Sequence, residues 1–175
     1  MTKKLLGEER RTKILSLLQQ AKTPLTGADL AKVANVSRQV IVNDITLLKA
    51  RNAPILATSQ GYLYLSTSEP TYATRVVACQ HTPAQAEEEL FAIVDCGVTV
   101  KDVCVEHSVY GEITAAIHVS NRVEVSRFID KVQVANASYL SDLTDGIHLH
   151  TLQAPTEDML DCAEQALRAK GILLD

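Results

Sequence analysis

In the stretch D-G-I-H-L-H-T-L, residues 145–152, His148 and His150 stand one residue apart among aliphatic side chains. Strand side chains alternate with period two, so both imidazoles would project from one face while Ile147, Leu149 and Thr151 take the other. The aliphatic side is expected to face the core. Two imidazoles at this spacing can donate to one zinc, nickel, cobalt or iron ion. Two donors bind weakly, so further ligands are needed. His81, between a predicted strand and a predicted helix, is the obvious third. A carboxylate from that helix can be the fourth, and the run Glu87-Glu88-Glu89 offers three. With Ala86, Leu90, Ile93 and Val94 as the buried stripe, a rotation of about 100° per residue turns Glu88 away. Glu87 and Glu89 flank the stripe on opposite sides, and periodicity does not choose between them. Cys79, two residues before His81, shares its predicted face and reads more simply as a small buried residue. An isolated H-x-H pair is equally a pair of surface histidines on a half-exposed sheet.

A second group of polar residues lies in V-E-H-S-V-Y-G-E-I, residues 105–113. His107, Tyr110 and Glu112 fall in a bend between two strands, where they form either a surface turn or a pocket wall. His118, in an alternating strand, reads as surface.

The elements that must position these groups alternate between strand and helix. A strand over 75–80 leads to Thr82-Pro83-Ala84-Gln85, which has a helix N-cap, a proline at the first helical position and a glutamine three residues after the cap. That helix should run to about Asp95 and stop near Gly97. Strands follow at 98–105 and 112–119, then a helix over 123–134. Asp145-Gly146 is a turn before the strand 147–152. Thr156 caps a last helix that Gly171 ends. This order predicts an α+β sandwich, one sheet with helices on a face.

The N-terminal segment reads as helix, helix, helix, hairpin. Ile14, Leu17 and Leu18 have helical spacing, Thr26 caps a second helix with Leu30 and Val33 facing inward, and Ser37 caps a third after the short turn Ala34-Asn35-Val36. Two helices so joined are the helix-turn-helix pattern. The hairpin around Gly61 then reads as a wing. On the third helix Ile41, Ile45 and Leu48 form the inner stripe. Gln39, Asn43 and Thr46 lie opposite, flanked by Arg38 and Lys49. Amide side chains pair with adenine in the major groove, a threonine methyl meets thymine, and cations suit phosphates. The expected DNA-binding set is Thr26, Ser37, Arg38, Gln39, Asn43, Thr46 and Lys49.

Charge supports that division. The 175 residues carry a net −4, yet residues 1–60 hold ten basic against four acidic residues, a net +6, and the remainder is net −10. A basic front and an acidic back imply a polyanion-binding module joined to one with another task. The small polar run Ser66–Thr71 is the expected linker, with domains at 1–66 and 71–175. No long apolar run or signal sequence is readable, and four widely spaced cysteines read as reduced thiols in a cytoplasmic protein.

With S-R-Q-V-I-V-N-D-I in the helix-turn-helix, and H-T-P, V-E-H-S-V-Y-G-E-I and H-L-H-T after it, the chain resembles the 3H-domain transcriptional regulators. The likeness spans nearly the whole chain. It implies a winged helix-turn-helix domain followed by a metal- and ligand-binding 3H domain. It further implies a niacin-responsive repressor of NAD biosynthesis and niacin-uptake genes. It implies a metal site of three histidines and a glutamate eight positions after the first, hence His81, Glu89, His148 and His150, with one divalent zinc, nickel or iron ion per chain. Nicotinic acid is the implied co-repressor and operator DNA the implied partner, bound by a homodimer. His107 is the family histidine outside the ligand set. Arg75 is a candidate for the effector carboxylate, and His107 and Tyr110 are candidates to line its pocket. The rival readings are a metal-responsive regulator and, less favoured, a metal-dependent hydrolase.

Overall fold

A computed structural model describes residues 7–65 and 72–174, and the expected linker Ser66–Thr71 lies outside the described residues. The chain divides into two compact units, Met1–Glu69 and Pro70–Asp175.

The first unit contains α1 (Gly7–Gln20), α2 (Gly27–Ala34), α3 (Arg38–Ala50) and an antiparallel hairpin of β1 (Ile55–Thr58) and β2 (Gly61–Tyr64). Thr26 accepts a hydrogen bond from the Asp29 amide at 3.1 Å, satisfying one of the donors that a helix start leaves unpaired. Asn35, at φ 52°, makes the left-handed turn into Ser37, which caps α3. Ile14, Leu18, Leu30, Ile41, Ile45 and Leu48 form the core. Val33, expected inward, is 49% exposed. Ala31 and Ala34 are buried beside Leu30 instead, because the face of α2 against its neighbours is set by close packing of small residues. The hairpin is tied to the residues before α2 by paired backbone bonds between Leu25 and Tyr62, at 3.0 and 2.8 Å. A Cβ at Gly61 would stand 2.6 Å from the Leu25 carbonyl oxygen, so only glycine allows that approach.

The second unit has the order β3 (Ala73–Gln80), α4 (Ala86–Val94), β4 (Thr99–His107), β5 (Gly111–Val119), α5 (Arg122–Val134), β6 (Ile147–Ala154) and α6 (Glu157–Ala169). Two short 3-10 turns, Pro83–Gln85 and Leu140–Thr144, precede α4 and β6. The four strands form one antiparallel sheet in the order β3-β6-β4-β5. α6 packs on β3 and β6, α4 on β4 and α5 on β5. Val77, Leu90, Ile93, Val100, Leu152, Leu160 and Leu167 belong to the core between helices and sheet. The α+β architecture expected from the sequence is therefore present.

The inward face of β6 and the state of the cysteines both differ from expectation. The core lies on the histidine side of β6: His148, His150, Leu152 and Ala154 are buried, while Ile147 is 46% exposed and Leu149 also faces outward. Hydropathy pointed the wrong way because buried imidazoles are stable where every ring nitrogen has a partner. The cysteines are not all reduced either. Cys96, just beyond α4, is disulfide-bonded to Cys162 of α6, with Cα atoms 5.9 Å apart, while Cys79 and Cys104 remain thiols. A separation of 66 residues leaves no local sequence signal for that bridge.

Candidate metal centre and nucleic-acid interface

Three imidazoles converge on one carboxylate beneath the helices of the second unit. His81 Nε2 lies 2.7 Å from Glu89 Oε2, His148 Nε2 3.1 Å from Oε1, and His150 Nε2 3.3 Å from Oε2. All four side chains are buried, Glu89 at 2% exposure. His81 follows β3 directly, Glu89 sits on the inner face of α4, and β6 presents the other two. Glu87 and Glu88 are exposed, and Glu88 pairs with Lys170 at 2.7 Å.

Each imidazole is oriented from behind by a backbone carbonyl. Nδ1 of His81 donates to Thr82 O at 2.7 Å, that of His148 to Gly146 O at 2.9 Å, and that of His150 to Asp102 O at 2.6 Å. The Asp102 carbonyl is available because β4 carries an extra residue relative to β6 between Val100 and Cys104. Gly146, at φ 86°, packs so closely on His81 that an added Cβ would meet the His81 carbonyl oxygen at 2.2 Å. These carbonyls carry no side-chain signature, so no sequence pattern reveals them.

The electrostatics follow from this geometry. Carbonyls only accept, so each Nδ1 keeps its proton. Each Nε2 then faces Glu89 either as a second N–H, which makes the ring cationic, or as a lone pair that needs a cation. Burial works to raise the Glu89 pKa, but the charge of His150 and hydrogen bonds from all three histidines outweigh it and hold the carboxyl well below the usual range. For His81, burial opposes protonation, and the hydrogen bond and charge of Glu89 overcome it, raising the pKa. His150 is raised in the same way, against its burial, by the charge and hydrogen bond of Glu89 and by the Asp102 carbonyl. Three imidazolium ions around one buried carboxylate would leave uncompensated charge, which is costly in the interior. Three lone pairs directed at a carboxylate instead make up a nitrogen–oxygen donor set compatible with a divalent transition metal, with the carbonyls as outer supports. Cys79 is also here: its sulfur, a Glu89 oxygen and a His148 nitrogen all lie within 4.8 Å of one another.

A cavity of about 390 Å³ opens from this cluster. His81, Glu89, His148 and His150 form its polar end, and Leu90, Val103, Ile117, Phe128, Val132, Leu140 and Leu143 its apolar walls. Ser138, Tyr139 and Ser141 add hydroxyl groups, and no lysine or arginine is among the lining residues described. Phe128 of α5 and Tyr139 line this cavity, and neither carries a local sequence signal for that role.

Arg75, His107 and Tyr110, expected near the effector, lie outside this cavity. Arg75 is held by Asp161 at 2.7 Å and by Glu157 and Glu164 at 2.9 Å, all on α6, which satisfies its guanidinium away from the cavity. His107 ends β4 and accepts through Nδ1 from the Val109 and Tyr110 amides at 3.1 and 3.3 Å. Tyr110 is 77% exposed at the tip of the β4–β5 hairpin. None of the three lines the cavity. His118, expected at the surface, is half-buried at φ 60° where β5 departs from the β4 register.

In the first unit Thr26, Ser37, Arg38, Gln39, Asn43, Thr46 and Lys49 are all exposed. Gln39 Nε2 donates to Asn43 Oδ1 at 3.3 Å, which sets the two amides side by side, and Thr46 donates to the Val42 carbonyl at 2.9 Å. Thr26 and Ser37 are engaged as helix caps. Asp44 was missed: it is buried on the inner face of α3 and bonded by Arg10 and Arg11 of α1. Its position three residues after Ile41 and four before Leu48, within the apolar stripe, was the available signal. Those two arginines therefore serve an internal ion pair as well as the basic balance of the segment.

Comparison with known proteins matches a 3H domain over residues 74–175 and an HTH domain over residues 10–63. The transcription repressor NadR of Bacillus subtilis is 59% identical over 173 residues, covering 98% of this chain and 96% of that protein. The probable transcription repressor NiaR of Thermotoga maritima is 39% identical over 175 residues, covering 100% and 99%.

Proposed function

This chain belongs to the 3H-domain family of transcription repressors, with an HTH domain ahead of the 3H domain, and on that premise we propose that it represses genes of NAD biosynthesis and niacin uptake in response to nicotinic acid. It is a repressor and not an enzyme, which sets aside the hydrolase reading. In the proposed division of labour, residues 1–66 bind operator DNA and residues 71–175 bind metal and effector.

Gln39 and Asn43 read base edges, Thr46 meets a thymine methyl, and Arg38 and Lys49 hold phosphates, with the exposed starts of α2 and α3 at Thr26 and Ser37 beside the backbone. His81, Glu89, His148 and His150 would hold one divalent zinc, nickel or iron ion, which when bound supplies a Lewis-acid docking point for the pyridine nitrogen or the carboxylate of nicotinate. The apolar walls around Phe128 suit a flat ring, and the cavity exceeds what one pyridine carboxylate needs. The reading rests above all on the three histidines pinned by carbonyls, with their Nε2 atoms aimed at one buried carboxylate on the wall of that cavity. Effector binding would shift a cytoplasmic homodimer toward the spacing of successive major grooves, by as much as its affinity for the two states differs.

The test is an operator-binding titration with nicotinate, nicotinamide and NAD, each with and without chelator. Nicotinate should tighten operator binding, and the chelator should abolish the effect. Binding that follows metal concentration and ignores nicotinate would replace this reading with a metal-responsive regulator.

A further inference from the structure

Cys79 is buried completely and forms part of the cluster's closed wall. β3 and β6 pair so that Cys79 stands opposite His148 and Val77 opposite His150. Its sulfur lies within 4.8 Å of both a Glu89 oxygen and a His148 nitrogen. Yet Cys79 does not line the cavity that reaches the histidines. No soluble reactant meets the thiol from that side, which argues against a nucleophilic or redox role. An ion seated among the histidines and Glu89 would meet it.

We propose that Cys79 is a further metal ligand, donating a thiolate from the sealed side of the centre while the cavity side stays open to an external ligand. This rests on the reading of the cluster as a metal site. As the metal–sulfur bond forms, the S–H proton leaves to solvent. A sulfur donor beside imidazole and carboxylate favours zinc, cobalt or nickel over magnesium or manganese.

The experiment is optical titration of the chelator-stripped full chain with cobalt(II) under reducing conditions. The expected result is one cobalt per chain and a near-ultraviolet sulfur-to-cobalt charge-transfer band. Cys79→Ser and Cys79→Ala should each bind cobalt without that band. A Cys96→Ser/Cys104→Ser/Cys162→Ser variant, in which Cys79 is the one remaining thiol, should keep the band and so assigns it even where the Cys79 variants fold poorly. One bound cobalt with no band overturns this inference and leaves the metal site standing. A band that survives in folded Cys79 variants, or vanishes in the folded triple variant, also overturns it. No cobalt uptake by the wild type overturns both the inference and the metal site.

Discussion

The two units use polar side chains in opposite ways. On α3 the residues proposed to act, Gln39, Asn43 and Thr46, point outward, and the buried polar residue, Asp44, is tied to arginines of α1. In the second unit the proposed residues, His81, Glu89, His148 and His150, point inward, and Ile147 and Leu149 are left facing out. A groove-reading helix loses nothing by solvation of its amides until DNA arrives. A metal centre needs a dry, pre-oriented donor set, and the fold must hold that set together before any ion binds.

The sharpest way to break this contrast is to remove the inward carboxylate. Glu89→Ala leaves His81, His148 and His150 without their common counter-charge. It should destabilise the metal-free second unit by about 3–5 kcal/mol, read by urea denaturation after chelation, and should abolish metal uptake. An unchanged midpoint would mean the cluster is not an ionic unit. The same cluster sets a pH profile. In chelated protein the raised pKa values of His81 and His150 contribute stability that is complete below the unfolded value of about 6.5 and lost as pH rises through the folded values. The depressed Glu89 adds stability that is present above its unfolded value and lost as pH falls through its folded one. Bound metal should reverse the alkaline side, since imidazoles coordinate as neutral rings. Thermal melts at about pH 6 and about pH 8 with and without zinc should therefore move in opposite directions, and parallel trends would argue against coordination.

Outward residues should behave differently. Gln39→Ala or Asn43→Ala should weaken operator binding by about 1–3 kcal/mol with little change in folding stability. Equal losses on operator and random DNA would recast them as non-specific contacts. The smallest effect belongs to Arg75→Ala, which removes half-exposed ion pairs to α6. It should cost about 1 kcal/mol or less and leave the nicotinate response intact, and loss of that response would return Arg75 to the effector site.

How much was legible follows the same inside–outside division. The stripe Ile41, Ile45 and Leu48, the caps Thr26 and Ser37, and the period-two spacing of His148 and His150 are local patterns, and each is realised in the structure. What escaped was nonlocal. The face of β6 that meets the core depends on where α4 and α6 pack and on carbonyls from Thr82, Asp102 and Gly146 that pair the imidazoles. Periodicity left Glu87 and Glu89 equivalent, and the packing of α4 buries Glu89 alone. Arg75 looked free because its three partners lie more than 80 residues away on α6. The Cys96–Cys162 bridge was hidden by distance in the chain in the same way.

The central claim is that the inward cluster is a metal centre, and calorimetric titration of chelator-stripped protein with zinc or nickel addresses it directly. The account predicts one metal bound per chain, and binding lost in Glu89→Ala and in the His148→Ala/His150→Ala variant. Failure of the wild type to bind, or equal binding by folded variants, would contradict it.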